Sequence, residues 1–202
     1  MTIDEVMRAG PVIPVLVLGD EHDPAALAEA LVGAGLPVLE VTLRTPGAMD
    51  AIRAMAAVPG AIVGAGTVLN PRQLDEAQAA GARFIVAPGL TEPVTRAAQA
   101  SGIAYLPGIA SAGDIMRGLD LGLGRFKFFP AVPAGGLPLL RALAGPFGEV
   151  VFCPTGGITE ASAPEWLAEP CVACVGGSWL VKPGMTLEQI TATARRAAAL
   201  AG

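Results

Sequence analysis

Eight short apolar runs recur along this chain of 202 residues, and the repeat limits its possible fold more than any other feature. Successive runs begin 20 to 25 residues apart, and between them lie alanine-rich segments with helical periodicity. The runs begin near Val12, Pro37, Ala61, Arg83, Ile103, Arg125, Glu149 and Val172. Strand and helix alternating at this spacing are typical of βαβ units, whose strands form a parallel sheet covered by helices.

Eight such units predict an α/β protein: a single (β/α)8 TIM barrel with a short N-terminal helix, formed by one domain over residues 1–202. The length is below the usual ~250 residues but within the range of this fold. A doubly wound open sheet is the alternative architecture. It is disfavoured because no G-x-G-x-x-G motif follows the first strand.

Signals at helix ends agree with this organisation. Thr2 and Glu5 have the spacing of a capping box on the leading helix. Asp23-Pro24 and Asn70-Pro71 each place a capping side chain before a proline at the first helical position. Glycines are predicted to end four helices before the next strand, namely Gly33, Gly60, Gly81 and Gly102.

Composition argues against several kinds of partner. The net charge is −5 and the basic residues are scattered, so no nucleic-acid partner is predicted. No run approaches the roughly 18 uncharged apolar residues of a membrane span, and the acidic N-terminus is unlike a secretory signal. An odd number of cysteines, three, without an export signal indicates reduced thiols. We therefore expect a cytoplasmic protein that binds no membrane.

Metal and hydrolase chemistry are also disfavoured. Cys171 and Cys174 have C-x-x-C spacing, but there is no second pair and no nearby histidine, so small apolar strand residues are the better interpretation. His22, the only histidine, is predicted to be a surface residue. A metal-dependent enzyme of this kind would need several imidazoles, so neither a metal nor another cofactor is predicted. No G-x-S-x-G motif supports a Ser-His-Asp hydrolase.

The predicted fold indicates where the chemistry should lie, because barrel enzymes build their active sites at the C-terminal ends of the strands. From the second strand to the eighth these ends read Glu40-Val41-Thr42-Leu43-Arg44, Gly64-Ala65-Gly66-Thr67, Ala87-Pro88-Gly89, Leu106-Pro107-Gly108, Phe126-Lys127-Phe128-Phe129-Pro130, Pro154-Thr155-Gly156-Gly157 and Val175-Gly176-Gly177-Ser178.

Lys127 is one of only two lysines, and the other, Lys182, falls in a late loop. Lys127 lies within a strand between Phe126 and Phe128. Burial disfavours the charged form of an amine, and a neutral amine can attack a ketone to form a Schiff base. Alternatively, the ammonium emerges at the barrel mouth and holds a phosphate or a carboxylate. Spacing alone leaves both interpretations open.

Glu40 is the only acid well inside an apolar strand. A carboxylate in that position must be paired or functional, because an isolated buried charge is costly. Near Lys127 it could move protons during carbinolamine formation, dehydration and carbon–carbon cleavage. The alternative is a structural ion pair with Arg44 or Lys127.

Two groups of residues at the strand ends suit an anionic ligand. Arg44 and Thr67 end neighbouring strands, and a guanidinium with a hydroxyl suits a carboxylate, although Arg44 could equally be a solvated loop residue. Gly156-Gly157 and Gly176-Gly177-Ser178 end the last two strands. Loops there often form a phosphate site in barrels, since glycines let backbone N–H groups approach an anion.

These motifs resemble the 2-keto-3-deoxy-6-phosphogluconate (KDPG) aldolase family, which includes the bifunctional 4-hydroxy-2-oxoglutarate (KHG) aldolases. The resemblance runs from Pro11 to Pro183. It rests on Glu40-Val41-Thr42-Leu43-Arg44-Thr45, Gly64-Ala65-Gly66-Thr67-Val68-Leu69-Asn70, Phe126-Lys127-Phe128-Phe129-Pro130-Ala131, Gly145-Pro146-Phe147, Pro154-Thr155-Gly156-Gly157-Ile158 and Gly176-Gly177-Ser178-Trp179-Leu180.

The resemblance implies a class I aldolase, a lyase that cleaves KDPG to pyruvate and glyceraldehyde 3-phosphate in the Entner–Doudoroff route. Its partner would be a small-molecule keto acid, and it would act as a homotrimer. Lys127 would be the Schiff-base lysine and Glu40 the general acid/base, while Arg44 and Thr67 would bind the pyruvyl carboxylate. The other implied substrate-binding residues are Pro88 and Phe129, which would line the pocket, and Thr155, Gly156, Gly157, Gly177 and Ser178, which would hold the distal phosphate or polar tail.

Two departures from the family pattern concern substrate preference. Val132 stands where the family often has an acid, and Pro107-Gly108-Ile109-Ala110-Ser111-Ala112 replaces a Thr-Thr-Pro or Thr-Ser-Pro sequence. The nearer alternatives are a KHG aldolase or a 2-keto-3-deoxy-6-phosphogalactonate aldolase. The distant alternatives are a binding barrel for phosphate ligands and an isomerase with Glu40 as base, and neither would form an imine with pyruvate.

Overall fold

A computed structural model describes residues 1–200, so the last two residues of the predicted domain, 201–202, lie outside the described residues. The strands are β1 (Val12–Leu16), β2 (Val38–Thr42), β3 (Ile62–Gly66), β4 (Phe84–Val86), β5 (Ala104–Leu106), β6 (Gly108–Ile109), β7 (Arg125–Phe128), β8 (Val151–Pro154) and β9 (Val175–Gly177). The helices are α1 (Ile3–Arg8), α2 (Pro24–Gly33), α3 (Ala48–Ala56), α4 (Pro71–Ala79), α5 (Glu92–Ser101), α6 (Ala112–Asp120), α7 (Ala131–Ala134), α8 (Gly136–Ala144), α9 (Ala163–Leu167) and α10 (Leu187–Ala198).

All the strand pairings are parallel, and the strands form two sheets. The six-stranded sheet has the order β5-β4-β3-β2-β1-β9, and the three-stranded sheet has the order β6-β7-β8. Each of the eight apolar runs contains a strand, but the fifth run is divided at Pro107 into β5 and β6. Proline has no N–H to donate to the ladder, which explains the break. The result is an α/β fold whose parallel strands curl into a half-barrel.

The two sheets also approach each other between β8 and β9. Isolated parallel bridges join Phe152 to Val172 and Thr155 to Gly176. The N–H of Phe152 donates to the carbonyl of Cys171 at 2.8 Å, and the N–H of Ala173 donates to the carbonyl of Phe152 at 3.1 Å. These bonds hold the strand ends that carry Thr155 and Gly176 side by side.

Residues along the strands alternate between two buried clusters. One cluster faces the covering helices and contains Leu39, Ile85, Phe126 and Phe128. The other fills the space enclosed by the strands, and contains Val38, Phe84, Val86, Ala104, Leu106, Cys153 and Cys174. Because neighbours in a strand point to opposite faces, Glu40 and Lys127 point into the enclosed space.

Helix α1 covers the end of the strands at which they begin. Val6 and Met7 are fully buried and belong to the enclosed cluster. Asp4 also accepts a hydrogen bond of 2.6 Å from Arg125 at the start of β7. That bond, and then a second one from Arg8, lower the pKa of the Asp4 carboxyl below its ordinary value. Helix α1 is thus tied to the strand that carries Lys127.

Most of the predicted helix signals are confirmed. Thr2 and Glu5 form the capping box of α1, and Asp23 and Asn70 accept hydrogen bonds from the first turns of α2 and α4. Gly102 ends α5 in the left-handed conformation, and Gly60 and Gly81 have positive φ beyond α3 and α4. Helix α2 ends at Gly33 as predicted, although the residue in the left-handed region is Gly35, at φ +98°. Among residues 1–200, no helix is long and apolar enough to cross a membrane.

Candidate active site

Lys127 and Glu40 form a buried ion pair in the enclosed space. The Lys127 Nζ donates to both carboxylate oxygens of Glu40, at 2.9 Å to Oε1 and 3.2 Å to Oε2. The two residues are 6% and 3% exposed, although they are 87 positions apart in the sequence. An amine and a carboxylate in direct contact can exchange a proton, so the pair can present a neutral amine beside a protonated acid.

The strands fix both members of this pair. Phe126 and Phe128 are fully buried in the helix-facing cluster, which turns the intervening Lys127 toward the enclosed space. Glu40 pairs in register with Val15 of β1 and Gly64 of β3, so its own strand is held on both sides. Since β2 and β7 belong to different sheets, the hydrogen bonds cross the interior.

Phe129 lies beside the ion pair, and Gly156 packs against Phe129. The Lys127 Nζ is 5.5 Å from the centre of the Phe129 ring, within the range of a cation–π contact. A Cβ added to Gly156 would lie 3.4 Å from Phe129 Cδ2, so the backbone of Gly156 closely approaches this ring. The peptide bond between Phe129 and Pro130 is cis.

The predicted phosphate residues lie in two segments at the ends of β8 and β9. Thr155 bridges Gly176, and a Cβ at Gly176 would overlap the Thr155 Oγ1. Gly157 has φ +82°, and a Cβ there would lie 2.7 Å from Val132 Cβ. Gly177 is the last residue of β9 and packs against the Trp179 ring. The exposed Ser178 follows it. Backbone N–H groups in such glycine-rich segments can bind an anion.

The remaining predicted residues lie at the same end of the strands. Pro88 follows β4, and its carbonyl faces Gly108, the register partner of Lys127. Thr67 follows β3 and is the only non-glycine residue with positive φ among residues 1–200, at +62°. Arg44 follows β2 and is exposed, and within that described range its guanidinium forms no ion pair. The structure brings Lys127 into contact with both Glu40 and Phe129. Arg44, Thr67 and Ser178 directly follow, or lie just after, the C-terminal ends of β2, β3 and β9.

Sequence reasoning overlooked two residues around the pair, Gly66 and Cys153, whereas Cys174 is the small apolar residue that the sequence predicts. Gly66 faces Glu40 directly, and its place in the Gly64-Ala65-Gly66 alternation is the signal that could have identified it. Cys153 and Cys174 belong to the same enclosed cluster. The neighbouring Cys153 thiol, then burial, and more weakly the charge of Glu40 raise the pKa of the Cys174 thiol well above its ordinary value. Cys174 is therefore a protonated thiol that packs as an apolar residue.

A separate open depression of about 800 Å³ lies between the loops after β1 and β2. Its lining includes Asp20, Asp23 and Asp50, which would repel an anionic substrate, and it does not include Lys127 or Glu40. We therefore place the chemistry at the ion pair. His22 also lines this depression; it is partly exposed there, as expected of a surface residue, although its Nε2 is buried. Among residues 1–200, no cluster of three or more His, Cys, Asp or Glu side chains could hold a metal ion.

A model of the KDPG and KHG aldolase family matches residues 3–194, nearly the whole chain, and includes the ion pair and the glycine-rich strand ends. The chain belongs to the KDPG and KHG aldolase family. One curated member of the family, the 2-dehydro-3-deoxy-phosphogluconate aldolase of Zymomonas mobilis, is 58% identical over 198 residues, covering 98% of this chain and 95% of the relative.

Solved structures of KDPG aldolases have the same fold. The Zymomonas mobilis ZM4 enzyme, crystallised with 3-phosphoglycerate, matches with a TM-score of 0.96 at 58% identity, covering 98% of this chain and 95% of that chain. The Legionella pneumophila enzyme, with pyruvate captured at low pH as a covalent carbinolamine intermediate, matches with a TM-score of 0.93 at 45% identity, covering 98% of each chain.

Proposed function

We propose that this protein is a class I aldolase, a lyase that cleaves KDPG to pyruvate and glyceraldehyde 3-phosphate. Family membership and 58% identity to a KDPG aldolase support the reaction. The single observation that carries its chemistry is the contact of 2.9 Å between Lys127 Nζ and Glu40 Oε1 in a buried site. A carbinolamine of pyruvate in the Legionella relative supports a covalent mechanism.

The first step is formation of an imine at Lys127. The neutral amine adds to the C2 carbonyl of the substrate and gives a carbinolamine. Glu40 then donates a proton to the departing hydroxyl, water leaves, and an iminium remains. Because Glu40 contacts the Nζ directly, one carboxyl group can take the proton from the lysine and return it to the leaving oxygen.

Carbon–carbon cleavage follows from the positive charge on the iminium. The C4 hydroxyl loses its proton, the C3–C4 bond breaks, and its electron pair moves into the iminium to form an enamine. Glyceraldehyde 3-phosphate leaves, the enamine is protonated at C3, and hydrolysis frees pyruvate and Lys127. Glu40 is the carboxylate in direct contact with Lys127 Nζ, and we assign the proton transfers to it.

The surrounding residues would bind the two ends of the substrate. Arg44 and Thr67 would hold the carboxylate, with Pro88 and Phe129 lining the pocket. Their places after β2, β3, β4 and β7 support this assignment. The phosphate would lie on the glycine-rich surface after β8 and β9, formed by Thr155, Gly156, Gly157, Gly177 and Ser178. The positive φ of Gly156 and Gly157 supports a backbone anion site there.

We further propose that residues 1–202 form one domain whose strands close into a (β/α)8 barrel. The direct continuation of β5 into β6 through Pro107 and the bridges between β8 and β9 support closure. The protein would be a cytoplasmic homotrimer of the Entner–Doudoroff route. Apolar surface at Val17 and Leu69, each more than half exposed, is consistent with a subunit interface.

The test is reductive trapping. The protein is incubated with pyruvate and borohydride, and its intact mass and peptide map are measured. One pyruvyl adduct on Lys127 is expected, and Lys182→Arg serves as the matched control because it removes only the exposed lysine. An unmodified protein, or an adduct confined to Lys182, contradicts the proposal and favours an isomerase or a binding barrel.

KHG is the second candidate substrate, because the matched family model covers both activities. The discriminating residue is Ser178, which would touch a phosphate but not the unphosphorylated substrate. Ser178→Ala is expected to raise KM for KDPG by about 10-fold or more, the value of a hydrogen bond to a charged group, and to leave KM for KHG unchanged. Ser101→Ala, at the far end of α5, is the control. Equal effects on both substrates would count against the phosphate site.

A further inference from the structure

Two glycines on β3 point into the enclosed space, and each touches a different side chain. A Cβ added to Gly64 would overlap the Phe84 ring, and a Cβ added to Gly66 would overlap Glu40. Neither glycine has a positive φ, so the backbone at both positions is open to any residue. The glycines are therefore required for space, since the neighbouring side chains fill the volume that a methyl group would occupy.

The overlap at Gly66 involves the whole head group of Glu40. The added Cβ would lie 2.7 Å from Cγ and 2.9 Å from Cδ, with Oε1 closer still. Rotation of the carboxylate about the Cγ–Cδ bond would move the oxygens but leave Cγ in place. Rotation at χ2, about the Cβ–Cγ bond, also leaves Cγ in place, so relief requires a change at χ1 of Glu40, which moves Cγ and the carboxylate together.

We propose that Gly66 is a positioning residue for the reaction: its missing side chain allows Glu40 to reach Lys127. This inference rests on the proposed function for its catalytic consequence, but the steric contact stands independently. Thr42, the register partner of Gly66, is tied by its hydroxyl to the carbonyl of Leu16 at 2.8 Å. Strand β2, which carries Glu40, is thus bonded to β3 on one side and to β1 on the other, and this fixes the distance between Glu40 and Gly66.

Displacement of Glu40 would separate the two catalytic groups without removing either of them. Glu40 is 3% exposed, so the displaced carboxylate has little free volume near the lysine. A shift of about 1 Å is enough to lower the rate of a proton transfer that depends on direct contact. Gly66→Ala should therefore lower kcat more than it raises KM, by about 10²–10³-fold in kcat.

The steric part is tested by thermal unfolding in a double-mutant cycle. Gly66→Ala is expected to lower the melting temperature by about 2–10 °C in the parent background. In the Glu40→Ala background the same change should cost less than half as much, because the overlapping atoms are gone. Gly64→Ala, whose overlap is with Phe84, should cost the same in both backgrounds. Equal costs of Gly66→Ala in the two backgrounds would overturn the proposal. A Gly66→Ala protein that fails to fold both with and without Glu40 would overturn it as well.

The functional part is tested by the pH dependence of trapping with pyruvate and borohydride. The Gly66→Ala protein should trap pyruvate at Lys127 more slowly and with a displaced pH profile, whereas Gly64→Ala should keep the parent profile. An unchanged profile and a kcat within about 3-fold of the parent would refute the positioning role. A parent protein that traps no pyruvate would instead refute the proposed function, and the unfolding cycle would still decide the contact.

Discussion

The Nζ of Lys127 donates hydrogen bonds to both carboxylate oxygens of Glu40, at 2.9 and 3.2 Å. The two residues lie on β7 and β2, which belong to different sheets, so the bonds cross the enclosed space. Both side chains are withdrawn from water, being 7% and 4% exposed. A pair buried in this way becomes destabilising when only one of its two partners is removed, because the other charge is then buried and unpaired. The ion pair to which we assign the chemistry is therefore also a condition of stability.

The stability of the fold should depend on keeping or removing the two charges together. Lys127→Met and Glu40→Gln are each expected to lower the free energy of unfolding by about 3–5 kcal/mol, because each leaves one buried charge unpaired. The double variant should recover most of that loss. Urea unfolding measures the three values, with Arg196→Met as the control, since the ion pair of Arg196 with Glu160 is exposed to solvent and contributes little to stability. Additive single losses would contradict this prediction.

Lys127→Arg should keep the positive charge and abolish the chemistry. A guanidinium does not form the imine, so aldolase turnover is expected to fall by a factor on the order of 10⁴ or more. The assay is a coupled measurement of pyruvate release from KDPG, with trapping by borohydride as a second measurement. Lys182→Arg, in an exposed loop, should leave both unchanged. Turnover within about 10-fold of the parent in Lys127→Arg would exclude a covalent mechanism through this residue.

The sequence is sufficient to predict which face of the sheet Lys127 and Glu40 occupy, because strand alternation is local, but it leaves the partner of Glu40 open between Lys127 and Arg44. Lys127 lies between two phenylalanines of an apolar strand, and Glu40 lies inside another, so both must face away from the helices. The eight runs likewise predict the strands, and Pro107 explains the division of the fifth. These inferences need only three things: the alternation of side chains along a strand, the spacing of the apolar runs, and the missing N–H of proline.

Features that depend on contacts between distant segments could not be predicted. The role of Gly66 depends on the side-chain conformation of Glu40, 26 positions away in the sequence. The half-buried position of His22 depends on the loop after β2, which lines the same depression. The positive φ of Thr67 is also invisible in the sequence, since a threonine there is unfavourable and no local signal favours it.

Thr67 should lower the stability of the fold through its strained backbone, while its hydroxyl should contribute to pyruvate binding. A β-branched residue at φ +62° costs on the order of 1–3 kcal/mol, which glycine does not incur. Thr67→Gly and Thr67→Ala both remove the hydroxyl and should weaken pyruvate trapping to a similar extent. Thr67→Gly should nevertheless be more stable than Thr67→Ala by about 1 kcal/mol in urea unfolding. Equal stability of the two variants would show that the conformation at this position carries no strain.

The start of helix α6 should contribute stability that depends on pH through Asp114. Its carboxylate Oδ2 accepts hydrogen bonds from the Ser111 hydroxyl at 2.7 Å and from the N–H groups of Ser111 and Ala110, and Arg117 pairs with its other oxygen. Burial alone would raise the pKa of Asp114. The hydrogen bonds from Ser111, Ala110 and Arg117 outweigh it and lower the pKa below 3.8.

A carboxyl group whose folded pKa is lowered binds fewer protons in the folded state than in the unfolded state. Its stabilising effect is therefore fully present above the unfolded value of about 3.9 and is lost as the pH falls through the folded pKa. Asp114→Asn should cost about 1 kcal/mol at pH 7, and the difference from the parent should shrink below pH 4. Asp50→Asn is the matched control, because Asp50 also pairs with an arginine three residues on but is 85% exposed and caps nothing. Its cost should stay below about 0.5 kcal/mol at every pH. A difference for Asp114→Asn that does not change between pH 7 and pH 3 would mean that its hydrogen bonds, rather than its charge, stabilise the helix.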